Sequence, residues 1–159
     1  MVSTIPDEMR RILVVAGLAV LALAPARAAA QASQRDAVEE LLHDAARGAA
    51  EDGYRVTPRV FDTRAVVGRL SRGGSVVLEA ELRAGVRYTV VGVCDADCAD
   101  LDLRAYAPGS EEVLDEDVST DAVPVLTFTA TEDGPHPIAV VMSECRAELC
   151  WFGLRVLAR

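Results

Sequence analysis

Val86-Arg87-Tyr88-Thr89-Val90-Val91-Gly92-Val93 leads straight into Cys94-Asp95-Ala96-Asp97-Cys98-Ala99-Asp100-Leu101-Asp102-Leu103. The first part is rich in β-branched residues and alternates at Val86, Tyr88 and Val90, the mark of a strand. The cysteines and aspartates then mark a tight corner before a second alternating run. Outward from this corner the pattern repeats. Strands are expected near 64–70, 75–82, 86–94, 101–107, 111–116, 123–129, 136–144 and 150–157, and an earlier short strand at 55–61 is compatible with the residues there. Arg72-Gly73-Gly74, Ala84-Gly85, Pro108-Gly109-Ser110 and Glu132-Asp133-Gly134-Pro135 punctuate them as turns. About eight short strands at this spacing predict an all-β fold, an antiparallel sandwich or barrel.

Ala84-Gly85 with Tyr88, then Asp100-Leu101-Asp102-Leu103, Pro108-Gly109, and Gly134 leading into Ile138-Ala139-Val140 carry a family likeness. Over roughly residues 75–157 the chain resembles the bacterial pre-peptidase C-terminal domain, a secreted module. The resemblance implies an antiparallel jelly-roll β-sandwich and an accessory or binding role, here without the peptidase domain. Two residues after Gly134, where that family carries an aromatic, this chain has His136 between two prolines.

The N-terminus reads as an export signal over residues 1–28. Arg10 and Arg11 precede the apolar run from Ile12 to Ala24, and Ala26-Arg27-Ala28 offers small residues for cleavage. That run is too short to span a bilayer as a helix. Without these 28 residues the chain has 13 Arg, no Lys and 23 acids, a formal charge of −10. The balance disfavours nucleic acid and anionic lipid as partners. The absence of Lys and Asn from the whole chain points to GC-rich coding and a bacterial source.

Residues 29–54 form a lead-in to the domain at 55–159. A helix is expected from Ser33 to Asp52, with Val38, Leu41, Leu42, Ala45, Ala46 and Ala49 on one face and Gly53 as its stop. Alanine dominates that face, so the helix is expected to rest weakly on the domain and to be deletable at little cost.

Four cysteines allow three pairings. The chain-entropy model gives roughly 2 kcal/mol for each small local ring and about 4 for a ring of about 57 residues. Proximity instead favours Cys94 with Cys98 and Cys145 with Cys150. Neither spacing is that of a Cys-x-x-Cys redox motif, and a zinc site needs thiolates that exported cysteines seldom keep.

If every strand reverses direction, three loops meet at one end of the sandwich. They bring Asp95, Asp97 and Asp100, then Asp117 and Asp121, then Glu144 and Glu148. Two readings stand: a solvated acidic rim, or a Ca²⁺ site built from Asp95, Asp97, Asp100, Asp117 and Asp121. Asp102, between two leucines, is expected to order a neighbouring loop. Neither His43 nor His136 has a nucleophile arranged beside it in sequence, and no Gly-x-Ser-x-Gly elbow occurs. These residues point to a non-catalytic exported module, periplasmic or extracellular, that binds a protein or glycan of the envelope or exterior. A purely structural envelope protein and a secreted hydrolase are the alternatives.

Overall fold

The computed structural model describes residues 33–57, 60–61 and 65–159. The export signal expected over 1–28 lies outside the described residues. A helix, α1, over residues 33–51 precedes nine strands. They are β1 (Arg55–Val56), β2 (Val66–Leu70), β3 (Ser75–Leu82), β4 (Arg87–Cys94), β5 (Cys98–Tyr106), β6 (Val113–Asp117), β7 (Val125–Thr129), β8 (Gly134–Cys145) and β9 (Cys150–Ala158).

All pairings are antiparallel, in two sheets of order β2-β9-β4-β7 and β3-β8-β5-β6. The two-residue β1 joins the first sheet on the same edge of β9 as β2. From β2 to β9 each connection crosses between sheets except the β5–β6 hairpin. That is the jelly-roll order. Alternate side chains from both sheets fill the space between them, among them Val90, Leu101, Leu103, Leu126, Ile138 and Leu154, all fully buried.

The first sheet is also covered on its outer face. On β4 every residue from Tyr88 to Cys94 is buried, including the outward-facing Thr89, Val91 and Val93. The cover is α1. Val38 and Leu42 are fully buried against Val93, while Ala46 packs with Tyr54, Val91 and Leu157. Close approach depends on Gly153, where a Cβ would stand 2.9 Å from Val38 Cγ1. The helix stops in a Schellman turn: Gly53 N–H donates to Ala50 O and Tyr54 N–H to Ala49 O, with Gly53 at φ 90°. Arg159, after β9, then stacks over the Tyr54 ring at 5.2 Å and donates to Asp52 O. The expectation that the helix rests only weakly on the domain is thereby corrected. Alanines bring the helix close, and two larger residues seal a sheet face that is apolar on both sides.

Strand β8 begins at Gly134 and contains Pro135 and Pro137, although it lies between two strands. Both prolines sit beyond the last β5 pair, Ala105 with Ile138, where β8 pairs with β3 alone. A missing N–H costs little where no strand waits for it.

Candidate functional site

The jelly-roll order puts the β2–β3, β4–β5, β6–β7 and β8–β9 connections at one end. Disulfides close two of them, Cys94–Cys98 with Cα atoms 5.8 Å apart and Cys145–Cys150 with Cα atoms 5.9 Å apart. Cys98 and Cys145 are direct partners across β5 and β8, so the two rings lie side by side.

Hydrogen bonds lace the loops together. Asp95, only 7% exposed, accepts from Asp97 N–H and Cys98 N–H through Oδ1 and from Trp151 N–H through Oδ2. Its own N–H donates to Trp151 O. Arg146 reaches back from the second ring, its N–H to Asp97 O and its guanidinium to Ala96 O at 2.8 Å. The third loop joins through Leu101 N–H to Asp121 O and Cys94 N–H to Ala122 O. Asp121 turns its carboxylate inward on its own loop, accepting from Val123 N–H at 2.8 Å.

The three loops expected to converge do so, but their acids are spent differently from a calcium set. Among the described residues, no three His, Cys, Asp or Glu side chains are placed to hold a metal ion. Asp95 and Asp121 hold turns. Asp117 accepts from Ser119 N–H and Val125 N–H, and these bonds, Val125 first, hold its carboxyl below the usual carboxylate range. Asp97 contributes its backbone carbonyl. Asp100 lies on β5 opposite Glu144 rather than in the loop. Burial raises its carboxyl above the usual range, and the neighbouring Asp102 charge, then Asp121 and Glu144, raise it further.

Asp102 does not order a loop. Its Oδ2 accepts from Ser143 Oγ at 2.5 Å on the adjacent strand β8. The sequence reading also missed two basic groups at this end, Arg146 and Arg72. Arg72 comes from the β2–β3 turn and pairs with Glu144 at 2.5 Å. Only the strand order brings it there.

At the opposite end, the β3–β4 and β7–β8 turns border a cleft of about 860 Å³. Leu82, Val86 and Tyr88 form apolar walls, and Glu81, Arg83 and Asp133 stand among the lining residues. His136 is fully buried, with Nδ1 3.0 Å from Gly134 O, and His43 is exposed on α1. Among the described residues, no hydrogen bond joins either histidine to a Ser, Thr or Cys side chain. Tyr88 and Phe128 are core residues with ring centroids 6.4 Å apart, and Trp151 lies under Arg69 at 5.0 Å.

No protein-family model matches the sequence, and no curated protein matches it. Among solved structures, the fold is similar to PliG of Aeromonas hydrophila, a periplasmic inhibitor of g-type lysozyme. The match is 15% identical, covers 60% of this chain and 84% of that one, and has a TM-score of 0.46. A pre-peptidase C-terminal domain of a Bacillus anthracis collagenase matches at 7% identity over 58% and 86% of the two chains, with a TM-score of 0.42. The Yersinia pseudotuberculosis-derived mitogen matches at 13% identity over 58% and 81%, with a TM-score of 0.45. All three scores are below 0.5, so the fold assignment rests on the strand order itself.

Proposed function

We propose that this chain is an exported, non-catalytic β-sandwich that serves as a binding or accessory module, with the acidic loop end as its recognition face. The observation that carries this reading is the bracing of two loops at that end by two disulfides, the buried Asp95 and Arg146, with the third loop tied in by the Leu101–Asp121 and Cys94–Ala122 backbone hydrogen bonds. Binding residues sit disproportionately on loops held by a rigid scaffold. Loops already fixed lose little freedom when a partner docks. Two disulfides fit an oxidising compartment, the periplasm or the cell exterior. The acidic balance favours a partner with a cationic surface, a protein or glycan of the envelope or exterior. A non-catalytic role is supported by the histidines, one sealed in the core and one isolated on a helix.

Photocrosslinking side chains at Ala96 and Ala147, both exposed at the loop end, test the reading against one at Ala84 at the other end. In the producing cell, one discrete adduct shared by Ala96 and Ala147 and absent from Ala84 is expected. An adduct from Ala84 alone would move the recognition face to the cleft. Adducts from none of the three would favour a structural envelope protein.

A further inference from the structure

Strand β7 is the outermost strand of its sheet and pairs with β4 alone. Its outward N–H groups at Val125 and Thr127 meet carboxylates instead of a strand. Asp117 Oδ2 accepts from Val125 at 2.9 Å, and Asp115 Oδ2 accepts from Thr127 at 2.6 Å. Both acids belong to β6, the outermost strand of the other sheet. In register they oppose Leu103 and Ala105, which are fully buried, so they project from the inner face of β6 across the flank of the sandwich. Two acceptors spaced by two residues match two donors spaced by two residues, because edge donors recur every second residue along a strand.

Without these carboxylates β7 would present the features that invite edge pairing. Val-Leu-Thr-Phe-Thr is β-prone and uncharged, its Val125 is 46% exposed, and Val123 just before it is 49% exposed. We propose that Asp115 and Asp117 guard this edge, and that the occupant they exclude is β7 of a second copy of the chain. The strand is its own natural partner. With no charge on it, antiparallel self-pairing sets no like charges opposite one another, and such pairing generates a closed two-fold dimer. The guard also accounts for the acidic run Asp115-Glu116-Asp117 of β6, whose inward Asp115 and Asp117 serve no apolar packing role in the core. The outward Glu116 pairs instead with Arg104 at 2.9 Å.

The test is the oligomeric state of Asp115→Ala/Asp117→Ala at neutral pH by sedimentation velocity over a concentration series. The variant is expected to self-associate at least about tenfold more tightly than the unaltered protein, a difference of about 1.4 kcal/mol. Adding Val125→Pro, which deletes one released donor at the first residue of an edge strand, is expected to reverse the gain. A folded double variant that associates no more than the unaltered protein would overturn the proposal, and so would association indifferent to Val125→Pro. If the double variant does not fold, Asp115→Ala alone reads the same guard through amide exchange. Faster exchange at Thr127 than at Val125 is expected, and unchanged exchange at Thr127 would overturn it.

Discussion

At the Asp95 end of the sandwich, two turns are closed covalently, and one buried carboxylate receives three backbone N–H groups from two of them. At the Arg83 end, the β3–β4 turn is held by Ala84 N–H on the exposed Asp133, by Gly85 N–H on Ala130 O, and by Arg83 N–H on the Tyr88 hydroxyl. No disulfide reaches it. Both ends use aspartate to fix a turn, yet burial gives the same group a different weight. A carboxylate withdrawn from water leaves several donors stranded if it is lost, whereas an exposed one hands its donor to solvent. The difference makes one end a fixed surface and the other an open one.

The largest effect should come from removing the carboxylates themselves. Asp95→Ala takes the acceptor from the Asp97 and Trp151 N–H groups and leaves Cys98 N–H only the Asp95 carbonyl, and should cost about 3 kcal/mol in denaturant unfolding. Asp133→Ala should cost about 1 kcal/mol or less. Equal losses would erase the distinction between the ends. Next, Cys145→Ala/Cys150→Ala opens a ring of only a few residues and should cost about 2 kcal/mol, with the strands retained in circular dichroism. A loss of all β structure would mean that the ring, not the sheet, sets the fold there.

Acid sharpens the comparison within the braced end. Asp117 has its folded pKa lowered, so it contributes stability above its unfolded pKa that is lost as pH falls through the folded value. Asp100 has its folded pKa raised, so it favours folding below its unfolded pKa and that benefit is lost as pH rises through the folded value. Asp100→Asn should therefore raise the melting temperature at neutral pH and lose that advantage in acid, while Asp117→Asn should do the reverse. Parallel pH profiles for the two variants would contradict the opposite environments assigned to them. The smallest effect concerns Ca²⁺. With Asp95, Asp117 and Asp121 engaged by backbone N–H groups, millimolar Ca²⁺ and ionic-strength-matched NaCl should shift melting equally. A clear excess with Ca²⁺ would restore the calcium set.

Most of the strands were legible because alternation, glycines and prolines act locally. β8 starts earlier than its residues suggest because two prolines are tolerated where one neighbouring strand is missing, a fact about register that no local pattern carries. The depth of the α1 contact was similarly hidden. Its signals, the unbroken Val90-Val91-Gly92-Val93 run and Gly153 on β9, lie far from the helix in sequence. At the loop end, the three-loop convergence follows from strand reversal and could be read. Which acids face backbone donors could not, since Asp95, Asp97 and Asp100 look alike as residues and differ only in where their oxygens point. Arg72 and Arg146 enter through loop contacts between distant stretches, and Asp115 through its inward register on β6.

Native-state amide exchange of the oxidised protein, resolved by residue, tests most directly whether the two ends differ as described. Amides of Cys98 and Trp151, both bonded to Asp95, should exchange only with global unfolding, while those of Ala84 and Gly85 should exchange through local opening at lower free energy. Protection at Ala84 and Gly85 equal to or greater than that at Cys98 and Trp151 would contradict a braced loop end.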